Sequence, residues 1–342
     1  MCRTIRPSFL RLLSVFLVAG LIAAACADDP GIDELVDPPI DVVDDVPDVP
    51  IDPPDNTSEP TPLAIPAATA PEVDDTPLPI DDDIRIGTLD NGLTYLLRSN
   101  DTPGGSLDLR LVVNAGSLQQ ETPDDGSAHF LEHMLFNGTD AFPGNELTAQ
   151  LQRLGISFGA DVNAYTSYDE TVYLLGAATF SPGATDAAFD VLAEWSANAT
   201  IAPDQVAAEI GVVRDELRQG RESASGSIQT SIEQIYTEGT PYEDRIVIGD
   251  AGLVEAMDAA TLRAYYENWY RPDNMAVVVV GDLSLDELER EVTARFAELT
   301  NPDSPLVHPD VDIALDPDPV VDVVTHPEAG ADNLSFDIPL PV

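Results

Sequence analysis

In the run His129-Phe130-Leu131-Glu132-His133, two imidazoles stand four residues apart with a carboxylate between them. On an α-helix, positions i and i+4 lie on one face, so both rings can grip one metal ion while Glu132, at i+3, projects beside them. Zinc lowers the pKa of its water towards about 7, and an adjacent carboxylate can then take the proton as hydroxide attacks a carbonyl. The spacing therefore points to zinc-dependent hydrolysis, with His129 and His133 as metal ligands and Glu132 as general base. Only 4 histidines occur in the chain, and two of them stand here, which weighs against two incidental rings on a solvated helix. Phe130, Leu131, Met134 and Leu135 read as the core-facing side of the same helix. A catalytic zinc site still needs a third protein ligand, with the fourth position left to water.

Other chemistries are excluded by composition. Both cysteines, Cys2 and Cys26, lie at the start of the chain, so nothing beyond them can form a disulfide framework, a thiolate metal site or a thiol nucleophile. The 342 residues carry 62 Asp and Glu against 15 basic residues, all of them Arg, for a net charge of -47. Phosphate surfaces require a basic face, so nucleic acid is not an expected partner.

Arg3, Arg6 and Arg11 precede an apolar run from Leu12 to Ala25 that is shorter than a membrane span. That is the order of a secretory signal over residues 1–25. The run ends in Ile22-Ala23-Ala24-Ala25-Cys26, similar to a bacterial lipobox with Cys26 as the lipidated residue. The expected location is therefore outside the cytoplasm, lipid-anchored to the bacterial cell envelope. Residues 26–83 are dense in Asp, Glu and Pro and lack any basic residue, a composition expected to form a disordered tether.

Order is expected from Ile84. Strands flank the Asn91-Gly92 turn, a further strand alternates over Leu107 to Val113, and Ile156 to Ala178 is strand-like. The patterns predict helices over Ser127–Phe136, Asn145–Leu154 with Asn145 as N-cap, Thr185–Asn198, Pro203–Gln219, Ala259–Trp269 and Ser284–Leu299, with a buried strand over Met275–Val280. Strands and helices alternate within one unit over residues 84–300, giving an α+β class with a layered, antiparallel-rich sheet packed by helices.

His-x-x-Glu-His inverts the His-Glu-x-x-His zinc motif. Around it stand Asn114-Ala115-Gly116-Ser117, His133-Met134-Leu135-Phe136-Asn137-Gly138-Thr139, Asp161-Val162-Asn163-Ala164-Tyr165-Thr166-Ser167 and Tyr266-Glu267-Asn268-Trp269-Tyr270-Arg271-Pro272-Asp273-Asn274-Met275. Across residues 84–300 the chain resembles the pitrilysin, or insulinase-like, inverzincin zinc metallopeptidases, which include mitochondrial processing peptidase and bacterial periplasmic zinc proteases. The resemblance implies the catalytic N-terminal half of such an enzyme and a third ligand from a distant glutamate helix.

Here that helix is Glu209-Ile210-Gly211-Val212-Val213-Arg214-Asp215-Glu216, and a spacing of seven returns both acids to nearly one face. Counting from His133 falls near Glu209, whereas the family register places the ligand at Glu216. Glu216 is taken as the ligand and Glu209 as the acid that orients the site. The resemblance also implies that Asn163 and Ala164 lie on a strand edge that receives an extended peptide as an added strand. Tyr168, Tyr173, Tyr265, Tyr266 and Trp269 read as packing residues, and His308 and His326 as solvent-exposed side chains without a role.

Family enzymes pair two homologous halves around a chamber, so a second peptidase half, from the same full-length chain or another subunit, is an expected partner. Residues 301–342 read as an acidic linker and the start of a truncated second domain. The rival readings are a non-catalytic partner subunit and a metal-binding lipoprotein without hydrolysis; the intact motif opposes the first, and the base beside the metal opposes the second.

Overall fold

A computed structural model describes residues 80–309 apart from positions 180, 182 and 222, together with 311 and 323–325. Cys26, the leader, nearly all of the tether, His326 and most of the segment after residue 309 lie outside the described residues. Among the described residues, no helix is long and apolar enough to cross a membrane.

Strand β1 (Ile84–Thr88) and strand β2 (Thr94–Ser99) form an antiparallel hairpin. The Leu89 amide donates to Leu93 O and the Gly92 amide to Leu89 O, with Gly92 at φ +95°. That left-handed conformation is the reason the turn is written Asn-Gly. Strand β3 (Ser106–Val113) follows, then helix α1 (Ser127–Met134), helix α2 (Glu146–Arg153), and strands β4 (Val162–Thr166) and β5 (Thr171–Ala178). Asn145 precedes α2 but makes no side-chain cap hydrogen bond. Helices α3 (Ala184–Ala197), α4 (Pro203–Arg221), α5 (Ala224–Thr237), α6 (Ala251–Glu255) and α7 (Ala259–Trp269) lead to strand β6 (Met275–Gly281) and helix α8 (Leu285–Phe296). Helices α5 and α6 have no counterpart in the sequence pattern, because among the described residues α5 buries no large side chain and α6 is only 5 residues long.

The six strands form one sheet in the order β1-β2-β6-β3-β5-β4. Every pairing is antiparallel except β2 with β6, which is parallel. Alternation along β3 turns Leu107, Leu109, Leu111 and Val113 inward and Asp108 and Arg110 to solvent. Tyr173 and Leu175 of β5 and Val277 and Val279 of β6 extend the same buried face, which α3, α8 and α1 cover. Each such side chain stabilises the fold by about 1.5–3 kcal/mol through burial.

Helix α1 is fixed at both ends. Gly126, at φ +71°, turns the chain into the helix where a Cβ would stand 2.8 Å from Ile248 O, and the Asp125 carboxylate accepts from the Ser127 amide at 2.8 Å. At the other end the indole of buried Trp195 donates to Leu135 O at 3.0 Å. Phe130, fully buried, points from α1 into the core between the two histidines in sequence. Phe130→Ala is expected to lower unfolding free energy by about 3–5 kcal/mol through the lost transfer and the cavity; a urea midpoint unchanged from wild type would contradict that placement.

Helix α7 packs on α1 and buries Leu262, Tyr265, Tyr266 and Trp269. Its N-cap, Asp258, accepts from the Thr261 amide at 2.8 Å, and that backbone hydrogen bond holds its carboxyl below the usual range. Because the folded-state pKa is the lower one, the cap contributes fully above the unfolded value near 3.9 and is lost as pH falls through the folded value. Asp258→Ala is expected to cost about 1 kcal/mol at neutral pH, with the difference from wild type narrowing in urea titrations run below about pH 4.

The buried aromatic residues Tyr173, Tyr265, Tyr266 and Trp269 serve as packing groups, and half-buried Tyr168 lies edge-on to Tyr242. His308 departs from its expected exposure. Its ring lies 5.0 Å from Trp269, its Nε2 lies 2.6 Å from Asn274 Oδ1 and its Nδ1 lies 3.2 Å from Gln119 Nε2. Arg271 holds the same segment by donating to Leu306 O.

Candidate metal centre

The helical period of α1 sends Phe130, Leu131 and Met134 into the core and turns His129, Glu132 and His133 towards α4 and β4. The imidazole centroids of His129 and His133 are 4.8 Å apart. Helix α4 crosses in front of them and supplies both acids. Glu216 Oε1 is 3.7 Å from His129 Nε2, and Glu216 Oε2 is 3.3 Å from His133 Nε2. Glu209, two turns earlier, reaches the opposite nitrogen, His133 Nδ1, at 2.9 Å.

Ligand atoms of His129, His133 and Glu216 all lie within 4.8 Å of one another. Two neutral nitrogens and one carboxylate in this span form a donor set that fits zinc. The fit extends outward: Glu209 faces His133 Nδ1 and accepts from Asn137 Nδ2 at 2.7 Å, the arrangement by which a carboxylate fixes a ligand imidazole. His129 Nδ1 is buried and has no such partner among the described residues. Arg214 and Arg218 turn to Glu255 and Asp215, leaving both glutamates to the histidines.

Electrostatics follow from this geometry. Burial and the neighbouring His133 lower the His129 pKa to about 4. Burial also opposes charge on His133, but hydrogen bonds to Glu209 and Glu216 outweigh it and raise that pKa to about 10. Hydrogen bonding to His133 in turn lowers the pKa values of both Glu209 and Glu216. Glu132 is 8 % exposed, and burial raises its carboxyl to about 7 against the opposing effect of the Thr166 hydroxyl. Thr166 Oγ1 donates to Glu132 Oε2 at 2.5 Å.

Asn163 and Ala164 lie on β4, the strand at one end of the sheet. The Ala164 amide donates to the side chain of Asn163 at 2.9 Å. The structure thus brings together His129, His133, Glu132, Glu209 and Glu216, with Asn163 and Ala164 on the neighbouring strand. Two further contributors, Thr166 and Asn137, are not singled out by the sequence. Asn137 stands one turn beyond His133, a position from which a helix pattern could have flagged it; Thr166 carried no local signal, since its contact with Glu132 joins a strand to a helix.

An α+β domain in which two imidazoles and a carboxylate converge beside a second, buried carboxylate has the layout of a metal-dependent hydrolase. The chain belongs to the insulinase-like peptidase family M16: the family model described as Insulinase (Peptidase family M16) matches residues 95–247, and the one described as Peptidase M16 inactive domain matches residues 256–333. Over 211 residues the chain is 38% identical to the probable zinc protease PqqL of Haemophilus influenzae, a match covering 62% of this chain and 23% of that protein. It is 28% identical over 221 residues to the mitochondrial-processing peptidase subunit beta of Bos taurus, covering 63% of this chain and 42% of that one. The crystal structure of the first half of the periplasmic protease PqqL from Escherichia coli superimposes with a TM-score of 0.64 at 36% identity, over 68% of this chain and 50% of that chain. The chain therefore spans about a quarter of the length of the bacterial zinc protease it matches.

Proposed function

We propose that this chain carries the catalytic domain of a zinc metalloendopeptidase acting on extended peptides. The observation that carries the reading is the convergence of His129, His133 and Glu216 beside the buried carboxylate of Glu132. His129 and His133 through Nε2, with Glu216 through its carboxylate, hold the metal, and Glu209 keeps His133 in the orientation that presents Nε2. Zinc bound there supplies Lewis acidity, polarising the scissile carbonyl and acidifying a water. Glu132 accepts the proton of the attacking water and returns it to the leaving amine. The β4 edge at Asn163 and Ala164 binds the peptide backbone as an added strand, with little regard to side chains.

The pairing of halves in the family favours a second peptidase half as partner, in the same full-length chain or another. The basic, apolar, cysteine-ended leader and the periplasmic description of the Escherichia coli relative favour an exported domain, anchored by lipid at Cys26 and held off the membrane by residues 26–83. The domain itself is assigned to residues 84–300, with residues 301–342 leading to a further domain. The test is cleavage of an unstructured peptide library by the chain with bound zinc quantified. Zinc-dependent cleavage supports the reading; zinc bound without cleavage, even after a second half is added, overturns it in favour of a binding protein; absence of zinc overturns the metal centre.

A further inference from the structure

We propose that Thr166 is a positioning residue that sets Glu132 in register with the strand edge receiving the peptide, an inference that rests on the peptidase reading above. Thr166 is the last residue of β4, and its hydroxyl donates to Glu132 Oε2 at 2.5 Å. This commits one carboxylate oxygen and leaves Oε1 for the water whose proton Glu132 takes. A glutamate side chain has three torsions and sweeps a wide arc from a helix, whereas threonine is β-branched and stiff at χ1. The hydroxyl is therefore a fixed anchor for a longer side chain.

The same strand carries the peptide. Ala164 stands two residues before Thr166, on the same side of β4 and about 6.6 Å along it. Its amide is directed at Asn163 Oδ1, a local contact that a substrate carbonyl can replace. A peptide aligned on Ala164 is thereby indexed to Thr166, and through Thr166 to Glu132. The end of β4 is held from behind, since the Ser117 and Leu118 amides donate to Ser167 O and Tyr168 O at 3.0 and 2.9 Å. That approach requires Gly116, where a Cβ would stand 2.2 Å from Ser167 O. The Tyr265 hydroxyl donates to Gly116 O at 2.8 Å, tying this backing to α7. Substrate edge and base thus share one braced point.

Thr166→Val keeps the shape and removes the hydroxyl; Thr166→Ser keeps the hydroxyl. In the zinc-loaded chain with an unstructured peptide, Thr166→Val is expected to lower kcat on the order of ten- to a hundredfold, the rate equivalent of one hydrogen bond to a charged group. KM and zinc content should match wild type, Thr166→Ser should restore most of the rate, and peptide Kd on the Glu132→Gln background should be the same with and without Thr166→Val. A second measurement does not depend on cleavage: urea unfolding of Thr166→Val, Glu132→Ala and the double variant should show non-additive midpoints. Wild-type kcat in Thr166→Val, a serine variant as impaired as the valine one, loss of rate accompanied by loss of zinc, or additive midpoints would each overturn the positioning role. A wild-type chain that binds zinc but cleaves nothing with its second half present overturns the peptidase reading instead, and the unfolding cycle still decides the hydrogen bond.

Discussion

Glu132→Gln is expected to lower kcat by about 10²–10⁴-fold, the usual contribution of a positioned acid or base, while zinc remains bound at the wild-type ratio. The amide is nearly isosteric with the carboxylate, and its oxygen can still accept from the Thr166 hydroxyl that now reaches Oε2. What it cannot do is take a proton from water or return one to an amine. Glu132 is also absent from the converging ligand group of His129, His133 and Glu216, so the metal should be indifferent to the change. Cleavage assays run beside metal analysis on the same preparations read both quantities. Retained cleavage would remove Glu132 from the mechanism; loss of zinc together with activity would make it a ligand.

Glu216→Ala is expected to weaken zinc binding on the order of several hundredfold, roughly one donor's share of the ~10–16 kcal/mol with which four-donor structural zinc sites bind. Glu209→Ala should weaken it less, by about 10–100-fold, the cost of losing a group that orients a ligand. The physical distinction is which ring nitrogen each acid faces. Glu216 meets the Nε2 atoms of both histidines, whereas Glu209 meets only Nδ1 of His133, on the far side of the ring. Neither change should unfold the domain, because the Glu216 side chain is 50 % exposed and the Glu209 side chain makes its contacts with His133 and Asn137 at the site and not with the apolar core. Competition against a chelator of known affinity measures both constants. The opposite ranking would exchange the two roles.

Periodicity made much of the fold legible. The Asn91-Gly92 turn, the alternation of β3, the apolar run of β6 and the helical faces of α1, α3, α7 and α8 each follow from contacts within a few residues, so local pattern suffices to read them. Two imidazoles four residues apart on a helix must share a face, and so the histidine pair and its carboxylate were legible as well. By contrast, α5 presents no fully buried stripe and gave no periodic signal. The partial burial of His308 is not legible from its polar surroundings in sequence; the ring of Trp269 and the amides of Gln119 and Asn274 that meet it come from elsewhere in the chain.

The amino-acid order by itself determined the chemistry available to this protein: a helical pair of histidines with an adjacent base, no usable thiol, no basic surface and a choice of two glutamates. Only the tertiary structure decided how those groups meet. Glu209 and Glu216 share a helix face, so spacing cannot separate them; the placement of α4 against α1 does, by setting one acid against Nε2 and the other against Nδ1. The hydrogen bond from Thr166 to Glu132 likewise depends on β4 pairing at the sheet end beside α1, across a sequence separation of 34. Such distances are fixed by packing of whole elements around one core, where a shift of an ångström changes the partner, and no spacing within a single element encodes them.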